Sequence, residues 1–549
     1  MANTLIVPPA IVLCTLNAKY IHASLGLRYL LANMGELRPQ TALREYTIGR
    51  RPAELADELL ALLGEPQPGQ AQGIGFGVYI WNVSQTCALV RLLKAARPTL
   101  KVVLGGPEVS HEQEQQAIVA LADHVITGWG DVSFPKLCRA LLHGPAPLMK
   151  VIPGEQPPLN EIAPPYTEYS DADLAHRVLY VEASRGCPFK CEFCLSALDK
   201  TAWAFELDPF LAELDQLYQR GARQFKFVDR TFNLKIEASA RILQFFLDRL
   251  PPAPLIHALA PDLFVHFELI PDQLPDRLKT LIAQFPPGVL QFEIGIQSFN
   301  PEVQKRISRR QDHAKTLANL DWLVTQSQAH LHTDLIFGLP GETLASFAQG
   351  FDTLHALHPH EIQLGLLKRL RGTPIARHTE AWGMVYDAEP PYAVQETSVL
   401  SRDEVQRFVR LARYWDLVAN SGRFSRTLGL LLRGPSPFAA FLAWSDWLWQ
   451  RSGQTSGLSP EQLVDYLVDY LTGPGKGPGE QPGQDLQVVR DTVLGVLLAD
   501  YLASGARARP RSLQAVLPAQ GPPATRSGAG LAPRQQQHGQ GANAPMITP

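Results

Sequence analysis

The stretch YVEASRGCPFKCEFCLS, residues 180–196, decides how the rest of this chain is read. Cys187, Cys191 and Cys194 stand there at CxxxCxxC spacing, just after Val178, Leu179, Tyr180 and Val181, an apolar run that reads as a strand. Thiolates are soft, strongly donating ligands, so three on one loop suit iron–sulfur or zinc better than an oxygen-preferring metal. A structural zinc site wants four closed ligands, and the next cysteine upstream is Cys138. An iron–sulfur cube held by three cysteines leaves one iron open to an exogenous ligand. A disulfide pair with a spare thiol and an incomplete zinc knuckle are the other readings of the same spacing.

The aromatic Phe193 stands directly before the third cysteine. With it, the stretch resembles the CxxxCx(aromatic)C signature of the radical S-adenosylmethionine (SAM) superfamily. The resemblance implies that Cys187, Cys191 and Cys194 ligate a 4Fe-4S cluster whose open iron chelates S-adenosyl-L-methionine, with Phe193 near the adenine. It also implies reductive cleavage of the sulfonium to a 5′-deoxyadenosyl radical, and a reductant such as flavodoxin or ferredoxin.

Upstream, residues 1–143 alternate between strand and helix patterns. Apolar strands are predicted near Ala10–Leu16, Leu43–Thr47, Gly73–Tyr79, Lys101–Leu104 and His124–Thr127. Helical spacing joins Val83, Cys87, Val90 and Leu93. Such alternation predicts a doubly wound, Rossmann-like parallel sheet with ligands at the carboxyl ends of its strands. Asn17 follows the first predicted strand and Trp81 the third. Gly105, Gly106 and Pro107 follow the fourth, and Gly128 and Gly130 the fifth. Glycines there admit a large ligand close to backbone, or simply serve as turns between strand and helix. VLGGPEVS and the Gly-x-Gly turn, placed before the cysteine motif, resemble the cobalamin-binding domain of the cobalamin-dependent branch of the superfamily. That likeness implies a cobalamin cofactor, contacted by Asn17, Trp81, Gly105, Gly106, Pro107, Gly128 and Gly130. The DxHxxG motif that gives cobalt a histidine elsewhere is absent. Methylthiotransferases, a sister branch, hold a second cluster on three N-terminal cysteines. Here Cys14 falls inside a strand, while Cys87 and Cys138 fall on apolar helical stripes, and core packing accounts for them better.

Residues 144–172 are rich in proline and read as an extended linker. Over 173–380, six strands are predicted at Val178–Glu182, Gln224–Asp229, Phe264–Leu269, Val289–Ile296, Leu331–Phe337 and Glu361–Leu367. Six βα units of this kind read as a partial TIM-like barrel with its chemistry at the strand ends. Asp229 ends the second of these strands, Glu293 and Gln297 alternate on the fourth, and Asp334 lies in the fifth. The spans GIQSF, Arg309 and DLIFGLPGET look like those of oxygen-independent coproporphyrinogen dehydrogenases. By that likeness Gln297 and Asp334 contact the ribose region of SAM, and Arg309 its carboxylate. Asp229 and Glu293 are further candidate SAM contacts, or else satisfied acids of the barrel core. The top of the barrel is expected to be dry and apolar, since a carbon radical must be kept from water.

Residues 381–504 carry helical patterns with aromatic stripes, such as Phe408, Leu411, Trp415 and Val418, which read as helical core. Residues 505–549, mostly Gly, Pro, Gln and Ala, read as a disordered tail. A chain of 549 residues with 45% apolar and 19% charged content matches a multidomain globular protein. A net charge of −3 gives no electrostatic case for nucleic acid. No apolar run reaches the roughly 20 residues of a membrane span. Sparse cysteines and an N-terminus without a signal pattern point to the cytoplasm. Taken together, the residues and their likenesses imply a cobalamin-dependent radical SAM enzyme, with methyl transfer to an unactivated carbon as its expected reaction. Oxidoreductase or rearrangement chemistry without methyl transfer, a two-cluster methylthiotransferase, and a non-catalytic metal protein are the alternatives. The substrate is open among small molecules, lipids and peptides.

Overall fold

A computed structural model describes residues 8–66, 70–199, 201–251, 262–473, 486–506 and 508–517. The chain divides into two units, the first comprising Met1–Arg230, Lys368–Ala376 and Asp387–Ala393, the second the remainder. In the first, strands β1 (Ile11–Asn17), β2 (Thr41–Thr47), β3 (Gly73–Gly77), β4 (Lys101–Gly105), β5 (His124–Thr127) and β6 (Val151–Pro153) form one sheet. Their order is β2-β1-β3-β4-β5-β6, and every pairing is parallel. All seven residues of β1 are buried, as expected of a parallel strand covered on both faces. Its alternate side chains serve two cores. Val12, Cys14 and Leu16 pack with Leu55, Leu59, Leu89 and Leu93. Ile11 and Leu13 pack with Leu27, Leu31 and Leu137 on the other side. The strand order reverses between β1 and β3, and in such sheets the crevice at that point binds ligands.

One feature differs from the sequence reading and one agrees with it. The proline-rich linker contributes β6, which extends the sheet beyond β5, and Pro153 is tolerated because β6 is an edge strand. Cys14 and Cys138 are core residues, and burial pushes the Cys138 thiol up to about 12. Buried apolar thiols of this kind are poor ligands.

Still in the first unit, Ser170 caps the helix Asp171–His176 through a capping box with Asp173. Then come β7 (Leu179–Val181), the antiparallel two-residue pair β8 (Ser184–Arg185) and β9 (Trp203–Ala204), and β10 (Gln224–Phe227), which lies parallel to β7.

The second unit carries β11 (Phe264–Leu269), β12 (Leu290–Gln297), β13 (His330–Phe337) and β14 (Glu361–Leu366), each parallel to the next. Strict alternation in β12 buries Phe292, Ile294 and Ile296 and leaves Glu293, Gly295 and Gln297 half-exposed. On the neighbouring strands Glu268, His332 and Asp334 are half-exposed in the same way. This face of the sheet is therefore polar. The helices Arg402–Val418, Ser425–Leu431, Pro437–Ser452, Pro460–Leu471 and Leu486–Ala503 form the helical region. Phe408, Leu411, Trp415 and Val418 are buried core, and Phe408 stacks on Phe337 at 4.1 Å. Residues 508–517, placed by the sequence reading in the tail, are packed onto the helical region. Leu513 is fully buried, and the Asp465 carboxylate accepts from the backbone N–H groups of Arg511 and Ser512. Residues 518–549 lie outside the described residues. Among the described residues no helix is long and apolar enough to cross a membrane.

Candidate active site

The three cysteines sit on the loop between β8 and β9. Ser184 and Arg185 pair with Ala204 and Trp203 to close its neck. Gly186 has φ +84°, and a Cβ there would lie 2.6 Å from Thr201 Oγ1 and 2.7 Å from the Ala202 nitrogen, so glycine alone fits. Across the neck the Cys187 N–H donates to the Asp199 carbonyl at 3.1 Å. The Asp199 carboxylate accepts from the N–H and hydroxyl of Thr201. None of the cysteines is in a disulfide, and Cys187 and Cys191 are buried while Cys194 is half-buried. Burial raises the Cys187 thiol, and the charges of Cys194 and Cys191 raise it further, so the three sulfurs share one neighbourhood. Among the described residues no three His, Cys, Asp or Glu side chains converge as ligands of a single ion. A cube takes each thiolate on a different iron and needs no such convergence. Three thiols outside any disulfide fit a cluster's donor set. Phe193 is half-buried on the same loop.

Beside this loop lies a cleft of about 400 Å³, also within the first unit, in the size range of small-molecule sites. Its lining comes from two sources. Gly75, Gly77, Gly105, Gly106, Gly128 and Gly130 belong to the first sheet and its turns, while Glu182, Ser184, Arg185, Gly186, Ser196 and Asp199 belong to the cysteine loop and its approach. Gly106 has φ +108°, and a Cβ would come within 2.5 Å of the Val78 carbonyl oxygen. A glycine floor of this kind admits a broad, flat ligand close to backbone, which fits a corrin.

Asn17, Trp81 and Pro107 are not among the lining residues. Asn17 is turned into the fold, donating to the His22 carbonyl and to Glu45 Oε1 at 3.0 Å. Trp81 stacks on Tyr79 with ring centroids 4.4 Å apart and donates to the Leu16 carbonyl. The sequence reading passed over the charged centre of the wall. Arg185 donates to both carboxylate oxygens of Asp131, at 2.9 and 3.1 Å, and from Nε to Glu182 at 2.7 Å. Its guanidinium also lies over Tyr29 and Trp129. Burial raises the Glu182 carboxyl in spite of Arg185.

Asp229 follows β10 and is buried, accepting from the Ala183 N–H at 2.9 Å and the Ser184 hydroxyl at 2.5 Å. Burial pushes its carboxyl up to about 7. A carboxyl raised by folding stabilises below its unfolded value, and that contribution is lost as pH climbs through the folded value. Stability of the first unit is therefore expected to fall by about 1 kcal/mol or more between about pH 4 and pH 7 on this account. Asp229→Asn, whose amide can satisfy both partners, should abolish that fall in urea unfolding curves. An identical fall in the variant would refute the assignment.

In the second unit, Gln297 and Arg309 meet around Gly295. Gln297 has φ +72° at a register shift in β12, and Arg309 Nη2 donates to the Gly295 carbonyl. Arg309 Nε reaches Gln311 at 3.2 Å, so Arg309 is half-buried and held in place. Glu293 lies 3.2 Å from His266, and Asp334 3.7 Å from His332.

This fold and this cysteine loop define a radical SAM protein, and the model of the Radical SAM superfamily matches residues 181–354. The B12 binding domain matches residues 11–138, so the chain carries a radical SAM domain together with a B12-binding domain. Its cofactors are accordingly a 4Fe-4S cluster, S-adenosylmethionine and cobalamin. A family of unknown function, DUF4080, matches residues 380–520. The cobalamin-dependent radical SAM methyltransferase TokK of Streptomyces tokunonensis is 25% identical over 423 residues, covering 66% of this chain. The 2-(S-pantetheinyl)-carbapenam-3-carboxylate methyltransferase of Streptantibioticus cattleyicolor is 24% identical over 411 residues, again 66% of this chain. The chain spans 58% of the length of each relative. Among solved structures, the cobalamin-dependent S-adenosylmethionine radical enzyme OxsB shares the fold, with a TM-score of 0.55 at 12% identity. That match covers 90% of this chain and 78% of OxsB.

Proposed function

We propose that this chain is a cobalamin-dependent radical SAM methyltransferase acting on an unactivated carbon of a small molecule. The observation that carries the reading is the single cleft lined both by the glycine turns of the first sheet and by the approach to the cysteine loop. A methyl carrier and a radical source must face one substrate carbon, and a shared cleft supplies that proximity. When bound, the cluster delivers an electron to S-adenosylmethionine and cobalamin carries the methyl group.

The protein's own residues bind, orient and exclude water. Cys187, Cys191 and Cys194 would hold the iron, and Gly105, Gly106, Gly128 and Gly130 would let a corrin lie against backbone. Leu27, Phe76, Val103 and Phe134 line the cleft with apolar surface, which keeps water from a reactive carbon. Asp229, Glu293, Gln297, Arg309 and Asp334 are the proposed SAM contacts. A small-molecule substrate agrees with the carbapenam named for one relative. A one-electron donor such as flavodoxin or ferredoxin and a reducing cytoplasm complete the proposal. So does a division at 1–143, 144–172, 173–380 and 381–504.

The test is an anaerobic assay of the reduced, iron-loaded protein with S-adenosylmethionine and hydroxocobalamin. Release of both 5′-deoxyadenosine and S-adenosylhomocysteine is expected. Deoxyadenosine alone would replace methyl transfer by another radical reaction, and neither product would sink the enzymatic reading.

A further inference from the structure

Two sets of contacts within the first unit tie the glycine turns of the first sheet to the cysteine loop. The first passes through Trp129, which stands between Gly128 and Gly130 in the cleft wall. Its indole Nε1–H donates to Asp199 Oδ2 at 3.0 Å, and the Asp199 carbonyl holds the Cys187 N–H. A hydrogen bond to a carboxylate is among the stronger kinds, so the position of the indole is transmitted to the backbone of the first cysteine. The next residue along from Gly130, Asp131, is gripped by Arg185 two positions before Cys187.

The second tie is the segment Lys368–Ala376. Glu112, at φ +52°, accepts from both Arg369 and Arg371 and from the Gly372 N–H. Glu108, 4% exposed, accepts from Arg371 Nε at 2.9 Å and from the Tyr392 hydroxyl at 2.6 Å. Gly372 has φ +78°, and any side chain there would run into the His111 ring. At its far end the segment touches the cysteine loop, where the Ile375 N–H donates to the Glu192 carbonyl at 3.0 Å. Glu192 stands between Cys191 and Phe193. The segment therefore grips the GGPE turn with one end and the cysteine motif with the other.

We propose that these ties couple the two cofactors, so that loading the cluster raises the protein's affinity for cobalamin, and cobalamin raises its hold on the cluster. Trp129, Asp199 and Arg371 are positioning residues in this scheme. A ligand seated against Gly106, Gly128 and Gly130 fixes Trp129 and the GGPE turn, and the ties pass that order to the cysteine loop. The second cofactor then meets a loop already arranged and loses less freedom on binding. Linkage makes the effect reciprocal. The inference rests on the cofactor reading above.

The test titrates the full-length protein with hydroxocobalamin, measured by corrin absorbance in equilibrium dialysis, in iron-loaded and in chelator-stripped protein. The dissociation constant should be lower in the iron-loaded form by about fivefold or more. Trp129→Phe keeps the ring and loses the N–H, and Arg371→Lys keeps the charge and loses the fork. Each should bring the ratio of the two constants toward one. A role confined to packing would weaken binding equally in both forms and leave the ratio unchanged. A ratio of one in the wild type overturns the inference, as does a ratio that both variants preserve. If neither form binds hydroxocobalamin, the cofactor reading itself falls, and the inference with it. Should Trp129→Phe fail to fold, Arg371→Lys decides through the second tie alone.

Discussion

Replacing Cys187, Cys191 and Cys194 together by alanine is expected to abolish iron loading and to reduce 5′-deoxyadenosine formation to background. Methyl groups lack the lone pairs that hold iron, and the other cysteines belong to the cores of the first sheet, Cys14 and Cys138 buried within them and Cys87 packed against one. The variant should still fold. The loop is shaped by groups the substitution leaves in place. The Cys187 backbone still bonds to Asp199, Thr201 still bonds to the Asp199 carboxylate, and Gly186 still makes its turn. Retention of the wild-type circular dichroism with no bound iron is therefore the predicted pair of results. Iron retained at wild-type stoichiometry, or deoxyadenosine still formed, would remove the basis of the functional reading. A variant that merely unfolds would lose the circular dichroism as well, which separates that case.

Periodicity carried most of the architecture. The mostly apolar run of β1 reads as a strand covered on both faces, and the alternation in FEIGIQSF puts Glu293 and Gln297 on one side of a strand. The turns after β4 and β5 were legible because glycine next to a strand end has few other uses. Polar residues were less readable. Asn17 at the end of β1 looks the same in sequence whether it meets a ligand or Glu45, and the structure gives it Glu45. Arg185 has a local partner in Glu182, but the carboxylate that takes its fork, Asp131, lies 54 positions upstream, out of reach of any local pattern. The carboxylate partners of Arg369 and Arg371 lie more than 250 positions away, beyond any reading of neighbouring residues. The strand Val151–Pro153 was hidden by its prolines, which forbid a central strand but not an edge.

Arg28→Met should destabilise the first unit by about 3 kcal/mol or more at neutral pH, the usual result of breaking a buried ion pair on one side. Arg28 is 2% exposed. It donates to Glu45 at 2.8 Å, to Asp173 at 2.9 Å and to the Ser24 carbonyl, and lies over the Tyr169 ring. The network thus joins the first helix of the sheet domain, strand β2 and the capped helix that leads into β7. Methionine replaces the volume of the stem but strands two carboxylates in a dry site, with Arg177 as remaining partner to both. Burial alone would raise the Glu45 and Asp173 carboxyls, yet Arg28 and the hydrogen bonds around it outweigh burial and hold both below their ordinary values. Depressed carboxylates give stability that is complete above the ordinary range near pH 4, and it drains away as pH falls through their folded values. The wild type should therefore lose stability on acidification below about pH 4 faster than the variant, which lacks the contribution from the start. Urea unfolding at neutral pH and at progressively lower pH should show the gap between the two proteins closing. Adding Asp173→Asn to Arg28→Met should recover part of the loss at neutral pH, because Glu45 then keeps Arg177 as its partner at 2.7 Å and no unpaired charge is left buried. A gap that stays constant with pH, or a double variant no more stable than Arg28→Met alone, would mean that the guanidinium contributes by packing rather than by charge.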